Sequence, residues 1–288
     1  MTAQNAQPRR LCYMRMLLFA LVACLTAQER PSFDVVSVKP HPADVREVSF
    51  PHFLPGGRFE TAGLPVWFTI AAAYNVGFQS PRLTGGPKWI SGPEGVFDIE
   101  AKASPDSLPA GLASNVRAER LRQMLQAMLA DRFHLKIHRE TKEMPAYELT
   151  VARSGLKLDR SKIDEKDCAE GGPKADACHA IRGGRGRGLH SEAATIDDIV
   201  NYVENWSDHP ILNKTGIRGL FNVQTSGWQN MQPGPVPPAG AKAEDGTNMA
   251  DLPTLFNIFE RLGLKLQAVS KAKVEIYVID SIDKPVLN

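Results

Sequence analysis

The sequence predicts an α+β protein built from two tandem related modules. Each module is expected to contain a helix, a strand, a second helix and a β-hairpin, with two helices covering a small mixed sheet. Hydrophobic spacing switches along the chain between the roughly 3.6-residue period of helices and the two-residue period of strands. Two segments also recur in the same order: GPEGVFDIEA (92–101) matches GIRGLFNVQT (216–225), and LKIHRETK (135–142) matches LKLQAVSK (264–271).

The first module is expected at residues 33–160. One helix is predicted to start at Pro65, and a second over 116–130, where apolar residues recur on one helical face. After the second helix the period changes to two, and a turn at 141–145 predicts a hairpin. The strands of this module are predicted at 33–39, 96–102, 133–138 and 146–152.

The second module is expected at residues 191–288. Thr195 and Asp198 have the spacing of a capping box and predict a helix start. A loop rich in Pro and Gly occupies 229–250, and Asp251 is expected to cap the next helix. The strands of this module are predicted at 220–225, 264–268 and 274–280.

Composition narrows the class of protein further. The 288 residues are 43% hydrophobic, 23% charged and 7% aromatic, which is typical of globular domains and excludes disordered or collagen-like chains. The formal net charge is only +2. A nucleic-acid-binding protein uses excess positive charge to neutralise phosphates, so we expect no nucleic-acid partner.

The N-terminus predicts export. Basic residues and no acid precede an apolar run at 16–23, which is too short to span a bilayer but has the order of a secretory signal. The run ends Leu-Val-Ala-Cys24, which resembles a bacterial lipobox. We therefore expect a lipoprotein-type signal peptide at 1–23, a lipidated Cys24, a tether at 24–32, and a protein of the periplasm or cell envelope that touches membrane only through its lipid. Cleavage after Ala27 by ordinary signal peptidase is the alternative.

Two cysteines remain in the folded part of an exported chain. Cys168 and Cys178 lie in a Gly-rich loop or linker at 161–190, and in an oxidising compartment they predict one disulfide. A zinc site that combines them with His179 is the alternative. Because the spacing is not that of a zinc knuckle, we expect no metal.

The segments that resemble catalytic motifs are better explained by the secondary structure in which we expect them. His134 and His138 have a zinc-like interval only if they are helical, and here they are expected on a strand. Lys214-Thr215-Gly216 resembles the KTG box of penicillin-binding enzymes, but the Ser154-x-x-Lys157 pair lies in a turn rather than at a helix start. We expect no catalytic residue and no cofactor.

Candidate ligand-binding residues are few. Trp89 lies between two Gly-Pro pairs and is expected to be exposed. The segment RGGRGRG (182–188) is expected to be a flexible cationic loop, which makes Arg185 and Arg187 candidates, and Arg58 follows a Gly pair in the first module.

Several segments resemble a known family. They are FDVVSVKP (33–40), GGRF (56–59), AAAY (71–74), GGPKW (85–89), FDIEAK (97–102), MLADRFHLKIHRETKEMPAY (128–147), NKTGIRGLFNV (213–223), LGLKL (262–266) and VIDSIDKP (278–285). Together they are similar to the soil-associated exported protein family abundant in acidobacteria, which has no established activity. Similar domains are fused to membrane-bound sensor peptidases of the BlaR type, and the helix-to-hairpin order also resembles the short N-terminal modules of secretins and TonB-linked proteins, which bind periplasmic partners.

The sequence therefore predicts an uncharacterised exported envelope protein that acts without enzymatic chemistry, as a binding, sensing or protein-interaction module. The resemblance implies another envelope protein as partner, for example a sensor peptidase or a transporter. An unrecognised envelope hydrolase and a purely structural envelope protein are the alternatives.

Overall fold

Twelve strands and four α-helices occupy residues 30–229, 231, 238–285 and 287, the part of the chain that this computed structural model describes. The helices are α1 (Val66–Ala73), α2 (Ser114–Phe133), α3 (Ile196–Val203) and α4 (Leu255–Arg261). The strands are β1 (Val35–Pro40), β2 (Ser49–Leu54), β3 (Arg58–Pro65), β4 (Leu83–Gly85), β5 (Val96–Lys102), β6 (Lys136–Val151), β7 (Asp159–Arg160), β8 (Arg182–Gly184), β9 (Gly188–Ala194), β10 (Ile211–Asn213), β11 (Phe221–Gln224) and β12 (Leu264–Ser281). The predicted α+β class is confirmed.

The strands form three four-stranded sheets. The first has the order β1-β5-β3-β2, the central one β10-β6-β12-β4, and the third β7-β11-β9-β8. In the central sheet β6 and β12 are antiparallel, whereas the short edge strands β10 and β4 run parallel to their neighbours. The first and third sheets have the same strand order. If the four strands of each sheet are numbered as they follow one another in the chain, their order across the sheet is 1-4-3-2. This arrangement is compatible with a duplication, which stays a prediction.

The prediction of a hairpin with its turn at residues 141–145 is wrong. Residues 136–151 form one continuous strand, which pairs with β12 and β10 rather than with a neighbouring segment. The hairpin strands predicted at 264–268 and 274–280 are likewise parts of one strand, β12. Pro145 suggested a turn because proline cannot donate to a strand ladder. In the structure the register shifts at this point, between the pairs Met144–Ala272 and Ala146–Val269, so a bulge accommodates the proline without ending the strand.

Two large cores lie beneath the helices. α1 and α2 bury apolar side chains together with residues of the first sheet and one end of the central sheet. α3 and α4 do the same with residues of the third sheet and the other end of the central sheet. The apolar face expected on the long helix is confirmed, since its buried residues are Leu121, Met124, Leu125, Met128, Leu129 and Phe133.

Helix starts follow the capping rules at one predicted position and not at the other. Thr195 and Asp198 form the predicted capping box at the start of α3. Asp251 does not cap α4, whose N-cap is Thr254. The reason is Pro253, because a residue before proline is driven into extended backbone and a helix cannot run through Leu252.

The segment expected to be a Gly-rich loop or linker at 161–190 is partly sheet. Its end forms β8 and the beginning of β9, joined by a tight turn. Gly183 and Gly188 have positive φ, and a Cβ on Gly183 would collide with the carbonyl oxygen of Gly188. Glycine is therefore needed at these positions because the backbones of β8 and β9 approach each other closely there, and not because the segment must be flexible.

The predicted signal peptide, Cys24 and most of the tether lie outside the described residues, as do residues 230 and 232–237 of the Pro- and Gly-rich loop. None of the helices that the structure describes is long and apolar enough to span a bilayer.

Candidate functional site

A polar cavity of about 470 Å³ lies on the outer face of the third sheet; we call it the sheet-face cavity. Its volume falls in the range of small-ligand sites. It is lined by Asp176, Ala177, Ala180, Arg182, His190, Ser191, Glu192, Asn222, Val223 and Gln224.

Strand alternation brings the polar side chains of this cavity together. Along β9 and β11 buried residues alternate with exposed ones, so His190, Glu192, Asn222 and Gln224 lie on the same outer face. His190 is directly opposite Gln224 on one side and Arg182 on the other. Three neighbouring strands therefore present one row of hydrogen-bonding side chains.

The disulfide loop forms the side of the cavity. Cys168 and Cys178 are bonded, as predicted, and close a loop over ten residues of sequence separation. Cys178 pairs with Ala193 of β9 beyond the end of β8, and the backbone N–H of His179 donates to the Ala193 carbonyl over 2.7 Å. This attachment holds residues 176–180, which we call the strap, against the third sheet.

Most charged and amide side chains in the sheet-face cavity are unpaired. Among the described residues, no hydrogen bond or ion pair holds the side chains of Asp176, Arg182, Glu192, Asn222 and Gln224. His190 is different, because its Nε2 contacts the Arg187 carbonyl oxygen at 2.9 Å. The cavity therefore offers donors and acceptors of both charge signs to a ligand without breaking internal contacts.

On the other side of the strap, His179 is held between two carboxylates. Its Nδ1 lies 2.7 Å from Asp198 Oδ2, and its Nε2 lies 3.0 Å from Glu165 Oε1. The Asp198 hydrogen bond, opposed in part by burial, raises the pKa of His179 to about 9. The same imidazole, with the Thr195 hydroxyl, lowers the pKa of Asp198 although burial of that carboxyl acts in the opposite direction.

This histidine is unsuited to general-base catalysis. A general base must be unprotonated at the working pH, and a histidine with a pKa near 9 is a cation at neutral pH. Its two ring nitrogens are also engaged, so neither is free to take a proton from a substrate. The His179–Asp198 pair therefore does not support the alternative that this protein is a hydrolase.

We expect His179 to make stability depend on pH. The folded pKa of about 9 exceeds the unfolded value of about 6.5, so the stabilisation is complete below pH 6.5 and is lost as the pH rises through 9. The advantage of the wild type over His179→Gln in the free energy of unfolding should shrink by roughly 2 kcal/mol between pH 6 and pH 10.

Urea denaturation across that pH range checks this expectation. His190→Gln is the matched control, because His190 is an exposed histidine outside the carboxylate pair. An advantage that stays constant with pH, or that grows as the pH rises, would contradict the assignment.

A second, smaller cavity of about 230 Å³ lies between α1, α2 and the central sheet. Its arginines are already neutralised: Arg122 pairs with Glu119, Arg139 with Glu275, and Arg82 with the buried Glu204. Burial, more than its neighbours, raises the pKa of the Tyr74 hydroxyl to about 12. With its charges paired internally, this cavity is a weaker ligand site than the sheet-face cavity.

The structure does not bring the sequence candidates together. Arg58 is exposed on β3, and Trp89, expected to be exposed, is half-buried against the first core. Arg185 and Arg187 lie in the turn between β8 and β9, where the Arg187 guanidinium donates to the Gly183 carbonyl over 3.2 Å. Neither lines the sheet-face cavity. Of the three arginines in RGGRGRG, Arg182 is the one that lines the cavity. The alternation of apolar and polar residues over 189–194 is the sequence signal that could have located this face of the sheet.

The fold and the sheet-face cavity define an α+β protein with a polar ligand-sized cavity on an exposed sheet face, supported by a disulfide strap. The chain belongs to a family described as a protein of unknown function, DUF3738, whose model matches residues 68–282. The match covers the strap, the cavity and the second core, whereas part of the first core, namely Phe33, Val38, Phe59 and Val66, precedes it. No curated protein and no solved structure matches the chain.

Proposed function

We propose that this chain is an exported, lipid-anchored envelope protein that binds a neutral, hydroxyl-rich glycan in the sheet-face cavity and performs no chemistry on it. The observation that carries the proposal is the group of converging unpaired polar side chains in that cavity. Asn222 and Gln224 each offer a donor and an acceptor, which suits a hydroxyl that must both give and receive a hydrogen bond. Arg182 opposes the negative charges of Asp176 and Glu192, which leaves a net charge of about −1, so the cavity does not favour anions.

The surroundings of Ser191 favour binding over turnover. Ser191 is the hydroxyl that lines the cavity, but it is buried in the inward half of the β9 alternation and its Oγ accepts from the Ala193 N–H at 3.3 Å. Within the described residues no histidine or carboxylate contacts that hydroxyl, so nothing activates it as a nucleophile. A sensor peptidase or a transporter remains the proposed partner of the ligand-bound protein.

Calorimetric titration with chitooligosaccharides, a soluble set of neutral glycans, tests the proposal. We expect saturable binding, and we expect the double variant Asn222→Ala/Gln224→Ala to bind about 30-fold more weakly, because it loses two hydrogen bonds that contribute about 1 kcal/mol each. Gln267→Ala is the matched control, since Gln267 is an exposed amide on β12 away from the cavity.

Two outcomes would overturn it. Unchanged affinity in the double variant would place binding elsewhere. Cleavage of the glycan by the pure protein, detected by mass spectrometry and abolished by one polar substitution, would make the chain a hydrolase.

The export part of the proposal rests on the N-terminal sequence and has its own test. Mass spectrometry of the mature protein should find an N-terminal Cys24 that carries a diacylglycerol thioether. An unmodified N-terminus at Gln28 would instead show cleavage after Ala27 and a protein without a lipid anchor.

A further inference from the structure

Three potential metal ligands meet at the base of the disulfide loop. They are the Glu165 carboxylate, the Cys168 sulfur and the His179 imidazole, and their ligating atoms all lie within 4.8 Å of one another. Ligands that share a tetrahedral zinc ion at bonds of about 2.0–2.3 Å are roughly 3.3–3.8 Å apart. Small side-chain adjustments would therefore bring these atoms around one ion.

His179 is oriented as a zinc-binding histidine is. The Asp198 carboxylate holds Nδ1 at 2.7 Å, which directs Nε2 toward Glu165 at 3.0 Å. Histidines that ligate zinc through Nε2 characteristically donate their other N–H to such a carboxylate. Asp198 is itself fixed at the start of α3, because it accepts hydrogen bonds from the N–H and hydroxyl of Thr195.

The disulfide prevents metal binding as the protein stands. Zinc binds the thiolate form of cysteine, and in the disulfide neither sulfur carries the required charge. Cys178 Sγ is bonded to Cys168 Sγ, so breaking this bond would release two sulfur ligands at the cluster. Cys178 is half-buried and Glu165 is exposed, so solvent can reach the cluster.

We propose that reduction of the Cys168–Cys178 disulfide creates a Zn²⁺ site whose ligands are Glu165, Cys168, Cys178 and His179. A dithiol reductant supplies two electrons and two protons and becomes a disulfide, while Cys168 and Cys178 become thiols. Zn²⁺ then displaces the two thiol protons and the proton on His179 Nε2, and these three protons pass to solvent. Metal coordination thereby replaces the covalent link across the same ten-residue loop and keeps the strap on the third sheet.

The sequence alone argued against zinc because the two cysteines lack the spacing of a knuckle. The fold brings two further groups to the cysteines and His179, which the spacing could not show. Glu165, in the turn that leads to Cys168, supplies a carboxylate ligand, and Asp198 of α3 orients the His179 imidazole. This inference is independent of the glycan proposal, which concerns the oxidised protein and a different face of the strap.

Cobalt titration of the purified chain tests the proposal directly. Cys12→Ser and Cys24→Ser are introduced so that Cys168 and Cys178 are its only thiols. After anaerobic reduction with a phosphine, we expect one Co²⁺ per chain, thiolate-to-cobalt absorption bands, and displacement of the cobalt by Zn²⁺. We expect affinity for Zn²⁺ about 100-fold higher in the reduced than in the oxidised chain, because the thiolates are the strongest ligands of the set.

Variants identify the ligands. Cys168→Ser should weaken the charge-transfer bands to about half, because Cys178 still supplies one thiolate, and Cys168→Ser/Cys178→Ser should abolish them. Glu165→Gln, at an exposed position that should not disturb folding, should weaken Zn²⁺ binding by about 10-fold or more. His52→Gln, on β2 and outside both the disulfide loop and the sheet-face cavity, should leave Zn²⁺ binding unchanged. Equal affinity in both redox states, unchanged binding by Cys168→Ser and Glu165→Gln, or loss of the far-ultraviolet circular dichroism of the reduced chain in the presence of Zn²⁺ would each overturn the proposal.

Discussion

Glu204→Ala should lower the free energy of unfolding by about 3–5 kcal/mol, the range expected when one partner of a buried ion pair is removed. Glu204 is only 2% exposed and serves three partners. Its carboxylate accepts from the Ser80 hydroxyl, lies 3.0 Å from Arg82 Nε, and accepts from the Ile211 N–H over 2.9 Å. The substitution would leave the half-buried Arg82 guanidinium without its counter-charge.

Chemical denaturation of matched variants measures this effect. Glu94→Ala removes a glutamate from an exposed pair with Lys284 and should change the unfolding free energy by less than about 0.5 kcal/mol. Glu204→Gln retains an acceptor oxygen and should lose less than Glu204→Ala. A loss below about 1 kcal/mol in Glu204→Ala would show that the buried pair does not hold these segments together.

The double substitution Cys168→Ala/Cys178→Ala should cost about 3 kcal/mol of stability, because opening a ten-residue loop restores chain entropy to the unfolded state. Cys168 also packs in a small core with Ile163, Ala193 and Leu220, so part of the loss is packing. Since the strap forms one side of the sheet-face cavity, we also expect weaker glycan binding.

Urea denaturation with and without a phosphine reductant measures the covalent contribution. Reduction should destabilise the wild type by less than the double substitution does, because the Cys168 side chain keeps its packing, and it should leave the double alanine variant unchanged. A double variant as stable as the oxidised wild type would mean that the loop is held by its other contacts alone.

The α+β class and the helices could be predicted because they depend on local patterns. The spacing from Leu121 to Leu129 defines one helical face, and Thr195 with Asp198 defines a helix start, each within a few residues. The pairing of β6 with β12 could not be predicted, because no local feature indicates a partner more than one hundred residues away. The hairpins β2–β3 and β8–β9 were missed because glycines at their turns resemble those of flexible loops.

The candidate site was harder to predict for the same reason. The disulfide was predicted correctly, since two cysteines in a presumed oxidising compartment have one choice of partner. The cavity assembles residues from β8, β9, β11 and the strap, and only the fold places Arg182 and Asn222 on one surface. Trp89 and Arg187 belong to residue types that often bind ligands. In the structure Trp89 lies in a short helical turn and Arg187 in the turn of the β8–β9 hairpin, and neither lines the cavity.

The pairing of β6 with β12 has a consequence for the order of folding. Val151 pairs with Leu264 and Lys136 with Ser281, so the central sheet consists of contacts between residues far apart in the chain. Such high contact order carries a large loop-closure cost and slows folding. A ribosome must therefore synthesise nearly the whole chain before this sheet can close. Until then β6 lacks its long partner strand, and its unpaired edge stays open to binding by chaperones.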